Sequence, residues 1–410
     1  MKKILFLFLI SAQIWAVSNS DFEYHGYMRA GSGTNSKGGD QECFKNQGSQ
    51  GNEFRLGNEC SHYGEMIFQG NHLNNPNGTS TYFKSQVRLA FESNGHNAYE
   101  STPTTQVREL YFEGGRFNDS PLTYWVGKRF YREQDVYMND WYYFAEMPGV
   151  GGGVENIKIG DGKLQLAQLR QISTTRSEKG LQGNTFWDAR YKGLKLTDKQ
   201  SLDFWYVYAH GVESAEYEKA HGHAGGVLHQ TKLNNGFNHF AVVYGKDLMQ
   251  GLNVWGDAAP IKFASRQQEA NRLRVVEHVV TKLNDRWEAH GNISYEKRDS
   301  GAVTQRKSSW LSTGISPVYF INDYYQVATV LGRSWVNDES DGLGTRTLTR
   351  FTIAPQVAPA MSSWARPVLR VFYSKAWWNS NNKSTIAQNA PAYSNNRDGS
   401  SYGLQAELWF

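Results

Sequence analysis

The sequence has 410 residues, 20% charged and 39% hydrophobic, with a formal net charge of +4, 40 glycines and 14% aromatic side chains. Past the N-terminus no stretch approaches the ~18–20 apolar residues of a spanning helix, which excludes a helical membrane protein, and the small, evenly spread charge gives no case for nucleic acid. A mean hydropathy of −0.61 combined with 13 Trp, 23 Tyr, 21 Phe and only 10 Pro argues against disorder and for an all-β chain, a transmembrane antiparallel β-barrel in particular.

Residues 1–16, MKKILFLFLISAQIWA, have the makeup of a secretory signal peptide. Lys2 and Lys3 precede an apolar run from Ile4 to Ile10, and Ala16 suits cleavage. Cleavage as late as Ser18 or Ser20 fits the same pattern. The run is too short to span a bilayer, so 17–410 is expected to be exported as a single barrel domain.

Period-2 alternation starts at once. Phe22, Tyr24, Gly26, Met28 and Ala30 share one face, and Glu23, His25, Tyr27 and Arg29 share the other. Cys43 and Cys60, the only cysteines, follow in loop-like sequence; an oxidising compartment predicts that they pair, with a chain-entropy gain of roughly 3 kcal/mol. Phe83, Val87, Leu89 and Phe91 then oppose Lys84, Gln86 and Arg88. Residues 131–153 crowd Tyr131, Asp135, Tyr137, Asp140, Trp141, Tyr142, Tyr143 and Phe144 ahead of Gly149–Gly153. Exposing so many rings to water is costly, so this loop is predicted to fold inward and narrow a channel. The glycine run lacks the GK[ST] of a phosphate loop and is read as a flexible turn. His210, His221, His223 and His229 fall in a Gly/Ala-rich stretch read as a loop, without a compact ligand spacing, so no metal site is expected. Near the end, Trp287, Ala289, Ile293 and Tyr295 oppose Arg286, Glu288, His290 and Asn292, and Tyr402, Leu404, Ala406, Leu408 and Phe410 oppose Gly403, Gln405, Glu407 and Trp409.

A soluble sandwich also alternates. Here, however, the polar faces mix charges with large rings, as a wet lumen would, and the apolar faces begin or end in aromatics, as the girdles of a barrel in lipid do. Strand-poor stretches at 36–53, 93–105, 131–153, 173–185, 245–270, 336–345 and 379–400 are the expected long loops. The remaining length accommodates about 16–18 strands.

Several local strings are specific. YHGYMRAG (24–31), RLGNEC (55–60), GKRFY (127–131), DVYMNDWYY (135–143), ENIKIGDGKLQLA (155–167), GFNHF (236–240), WARPVLRVF (364–372) and ELWF (407–410) together resemble the maltoporin family of sugar-specific outer-membrane porins. The resemblance is dense over 22–167 and patchy afterwards. It implies an 18-stranded barrel in the outer membrane of a Gram-negative bacterium, contact with its lipid, and a homotrimer. It also implies a lumen with an aromatic slide for maltodextrins or other oligosaccharides beside a polar track. Carried over by position, the slide falls on Tyr27, Tyr63, Tyr142, Phe237, Trp364 and Trp409, with Tyr99 the nearest aromatic to the ring that a neighbouring subunit contributes. The polar track falls on Arg29, Arg55, Glu65, Arg108, Asp135 and Asp140. In YREQD, Glu133 stands where the family has arginine, which places an acid at the expected constriction. Alternation assigns Tyr27 and Trp409 to polar faces, and the same reading sets Phe237 with His239 and Trp364 with Arg366 and Arg370.

Sugar rings are amphipathic, so aromatic faces can hold their C–H surfaces while Arg, Asp and Glu exchange hydrogen bonds with the hydroxyl rim. The expected function is therefore passive, sugar-selective diffusion with no cofactor and no catalytic residue; a structural calcium leaves no signature in the sequence. Two readings compete: a general diffusion porin, and a secreted carbohydrate-active enzyme using a carboxylate pair such as Asp135 and Asp140.

Overall fold

The computed structural model describes residues 22–74, 80–93, 104–172, 183–212, 219–253, 269–301, 304 and 307–410. The expected signal segment and Tyr99 lie outside them. The alternating runs form β1 (Phe22–Asn35), β2 (His62–Asn74), β3 (Tyr82–Ser93), β4 (Thr104–Gly115), β5 (Thr123–Arg129), β6 (Asp135–Val136), β7 (Trp141–Tyr142), β8 (Gly149–Ile159), β9 (Gly162–Ile172) and β10 (Gly183–Lys195). They continue with β11 (Gln200–Gly211), β12 (Ala220–Leu233), β13 (Gly236–Asp247), β14 (Asn271–Asn284), β15 (Trp287–Asp299), β16 (Lys307–Phe320), β17 (Tyr325–Asp338), β18 (Arg346–Val357), β19 (Val368–Trp378) and β20 (Asp398–Trp409). All but the short β6 and β7 belong to one 18-stranded sheet in which neighbours in sequence pair antiparallel. Pairing of β1 with β20, from Tyr27↔Trp409 to Asn35↔Ser401, closes the sheet into a barrel.

The two faces differ as alternation requires. Val126 (62% exposed), Phe112 (58%) and Leu404 (60%) point outward, while Arg190, Arg274, Arg350 and Glu407 point inward and are buried. This inside-out arrangement is stable only where the outer face meets lipid. Connections at one end are short, as at 160–161, 234–235 and 285–286, and those at the other end are longer, as at 36–61 and 248–270. That asymmetry orients the short turns toward the periplasm and the long connections outward.

The interior is filled from the long-loop end. The 130–148 connection folds inward, as its rings require, and buries Val136, Trp141, Tyr143 and Phe144 against the wall. Trp141 meets Trp310 edge-on at 5.3 Å, and Phe144 meets Trp205 at 6.2 Å. The first connection folds inward as well, which alternation did not foretell, and it runs to Ser61 rather than ending at Glu53. Phe54 is fully buried, so close to Gly332 that a Cβ there would lie 2.1 Å from its ring. Gly51 has φ +61, and a Cβ on it would fall 2.2 Å from the Asn139 carbonyl, so only glycine lets the two connections dock. Cys43 and Cys60 form the expected disulfide, with Cα atoms 6.0 Å apart.

Two local expectations are corrected. Gly149–Gly153 is not a turn but opens β8 and pairs with both β5 and β9, because its neighbours supply a complete ladder on each side. His210, His221, His223 and His229 are not in a loop but on β11 and β12, where the glycines and alanines between them pack against the adjoining strands. The expected loop at 379–400 carries a helix, α1 (Lys383–Asn389), and the connection 358–367 on the short-turn side was not anticipated.

Candidate functional site

Within the 130–148 connection, β6 and β7 form a miniature hairpin with Asp135 opposite Tyr142 and Val136 opposite Trp141. Alternation inside this hairpin sends Val136 and Trp141 into the packed wall and leaves Asp135 and Tyr142 facing open lumen. Asp140 ends the turn in the left-handed region at φ 48. The first connection braces the hairpin through backbone donors: Asn52 N–H donates to the Asn139 carbonyl at 2.7 Å, and Arg55 N–H to that of Met138 at 2.8 Å. The Asn52 amide also donates to the Asp140 carboxylate at 3.1 Å.

What remains open is a cavity of about 960 Å³ between this hairpin and the wall made by β20, β1, β2, β3 and β4. Strand register fixes its rings. Tyr27 lies opposite Trp409 on β20 and opposite Glu65 on β2, while Arg29 lies opposite Tyr63. The Tyr27 and Tyr63 rings are 6.0 Å apart. Across the cavity, the Arg132 guanidinium covers the Tyr142 ring at 3.9 Å and the Phe130 ring at 4.2 Å.

The charges are mostly paired. Arg29 contacts Glu59 at 2.5 Å, Arg55 contacts Glu59 at 3.0 Å and Glu407 at 3.1 Å, and Arg88 bridges Glu65 at 2.9 Å and Glu109 at 2.7 Å. Burial pushes the Glu59 carboxyl upward against the pull of Arg55 and Arg29. The Asp135 carboxyl is also raised, first by burial and then by the negative charge of Asp140. Among the described residues neither Arg108 nor Arg132 makes an ion pair, and both line the cavity.

A family model, LamB porin, matches residues 22–410. The chain belongs to the LamB porin family. It is an outer-membrane channel of a Gram-negative bacterium, as the closed barrel with its apolar exterior requires. Solved structures agree on the fold: a BenF-like porin from Pseudomonas fluorescens Pf-5 (10% identity, 95% of this chain and 98% of that one, TM-score 0.52) and OpdQ of Pseudomonas aeruginosa (9% identity, 95% and 99%, TM-score 0.50).

In this LamB porin, ten of the residues singled out from sequence line the one cavity: Tyr27, Tyr63, Tyr142, Trp409, Arg29, Arg55, Glu65, Arg108, Asp135 and Asp140. Phe237 and Trp364 do not. Phe237 sits on β13, stacked on His239 at 4.5 Å and edge-on to His278 at 5.3 Å. Trp364 is not on a strand; it belongs to the 358–367 connection, so strand parity does not set its direction. Its ring is placed instead by Tyr137 at 5.2 Å and His290 at 5.0 Å. Tyr137 also stands 6.4 Å from Trp409, so these rings form an unbroken series from the cavity toward the short-turn end.

Glu133 does not line this cavity. It turns to the wall and pairs with Arg190 and Lys192, each at 3.1 Å, while the neighbouring Arg132 takes the lumen side. The acid is therefore turned away from this cavity and the cation toward it, because the backbone after Arg129 leaves the strand and shifts which side chain faces inward. Sequence reasoning also missed Glu407, which accepts from Arg55, Arg366 (2.9 Å), Arg370 (2.8 Å), Tyr27 (3.0 Å) and Tyr137 (2.9 Å). Its place on the Trp409 face was the available signal; its partners come from distant segments.

Proposed function

We propose that the channel conducts sugars selectively and passively, with maltodextrins or related oligosaccharides as the substrate class. The observation that carries this reading is the mounting of Tyr27, Tyr63, Tyr142 and Trp409 on one cavity beside paired and unpaired charges. Rings at this spacing offer successive apolar faces to the C–H surfaces of a saccharide, and dispersion holds each residue only modestly. Arg108, Arg132, Asp135 and Asp140 supply donors and acceptors for hydroxyls that shed water on entry. Because each contact is weak and similar to the next, the chain can change register without a deep trap, as conduction requires. Trp364 and Phe237 extend the path toward the short-turn end. No covalent step and no energy source enter this reading, and family membership supports a homotrimer as the working assembly.

A planar-bilayer recording titrated with a maltooligosaccharide series, and separately with sucrose, tests it. The expected result is a saturable current block that tightens with maltooligosaccharide length and is weaker for sucrose. Equal rates governed by molecular size alone would replace it with general diffusion.

A further inference from the structure

The histidines of β11 and β12 face away from the lumen, and strand register arranges them in ordered rows on the outer surface. Nearest the long-loop end, Arg170 on β9 lies opposite Thr185, Thr185 opposite His210, and His210 opposite His221. The next row runs Trp187, Tyr208, His223 and Lys246 across β10 to β13. Three of its members touch, Trp187 stacking on Tyr208 at 5.6 Å and Tyr208 meeting His223 at 5.0 Å, and the Tyr206 hydroxyl of the next row lies 2.6 Å from His223 Nδ1. The third row alternates small and large, with Ala189, Tyr206, Gly225 and Tyr244 in register. Below it, Phe204, Val227 and Val242 complete an outward groove of about 530 Å³ whose lining is almost wholly apolar.

A polar, cationic and imidazole-rich rim above an aromatic row above an apolar groove is the profile of one amphipathic occupant lying along the wall. We propose that this face binds a phosphorylated, acylated glycolipid of the outer leaflet. The groove takes an acyl chain between Tyr206 and Tyr244, over the floor that Ala189 and Gly225 leave low. The phosphate meets Lys246 and the N–H groups of His223, His221 and His210, which lie on adjoining strands. Position decides for lipid, since a membrane-spanning strand presents this surface at the depth of outer-leaflet headgroups, where aromatic rings and basic side chains anchor a barrel. Charge complementarity is partial: Asp247 lies 4.0 Å from Lys246 and also interacts with His221 and His223, so it offsets part of the rim's positive charge.

The test is native mass spectrometry of the detergent-solubilised full chain incubated with diphosphoryl lipid A, with its dephosphorylated counterpart, and with inorganic phosphate as competitor. Retention of one diphosphoryl lipid is expected, weakened about tenfold or more by His221→Ala/His223→Ala/Lys246→Ala and comparably by Ala189→Trp, which fills the groove. Single-channel conductance of both variants serves as the folding control and stays at the wild-type level. Equal retention of the dephosphorylated lipid, displacement by equimolar inorganic phosphate, or unchanged retention in both variants would each overturn the proposal.

Discussion

Arg55, carried by the first connection, reaches Glu407 on the last strand at 3.1 Å, and around that contact the interior is assembled. Glu407 is 1% exposed and gathers Arg366, Arg370 and the hydroxyls of Tyr27 and Tyr137 on the same carboxylate. Removing one member of such a buried network leaves uncompensated charge. Glu407→Ala is expected to destabilise the barrel by about 3–5 kcal/mol, read as a lower unfolding temperature in detergent, and to raise open-channel noise as both inward connections lose a tether. Quiet channels with wild-type melting would show that the network adds little.

Trp409→Ala and Tyr142→Ala are each expected to weaken maltooligosaccharide block by about three- to tenfold, the worth of roughly one aromatic contact. Ion conductance in the same recordings should change little, because neither side chain carries charge. Unchanged block would remove that ring from the sugar path.

Arg132 and Glu133 make a paired prediction. Arg132→Gln withdraws a guanidinium from the Tyr142 face and from the lumen, so it should alter both sugar block and ion selectivity. Glu133→Gln acts on the wall, where Arg190 keeps Asp188 at 2.7 Å, so it should lower thermal stability while leaving block close to wild type. The reverse pattern in bilayer recordings would mean that Glu133 and not Arg132 faces the permeating sugar.

Asp135 is expected to make the channel pH-sensitive. Its carboxyl is raised by burial and by Asp140, so on acidification it gains a proton before an ordinary aspartate, near pH 3.9, would. Cation preference, measured as the reversal potential in a KCl gradient, should therefore decline at a pH above that of an ordinary carboxyl, and Asp135→Asn should abolish this part of the titration. The stability effect has the same origin. A folded-state value above the unfolded one means that the ionised form costs stability at neutral pH, and the cost is relieved as pH falls through the raised range.

The barrel was legible because each strand writes its two environments into alternate residues, and the same period placed Tyr27 and Trp409 on the lumen side. The parity that works for them fails for Trp364, which lies in a connection where no period applies; the expectation for Glu133 rested on the family resemblance instead, and Glu133 follows the end of β5. An inward loop was legible at 131–153 because rings there demanded cover. The inward first connection was not, since its docking rests on backbone donors from Asn52 and Arg55, and every residue type carries such donors. The outward histidine rows escaped notice for a related reason: the glycines and alanines that suggested a loop are the small residues that let tall neighbours stand beside a groove.

Glu407 lies on β20, the strand that must pair with β1 before the sheet can close. Order of assembly and quality of the pore are thereby coupled. Until β20 docks, both inward connections lack the tether that Glu407 gives to Arg55 and Tyr137, and rest on their packing against the wall alone. The strand that completes the wall is thus also the one that tethers the plug.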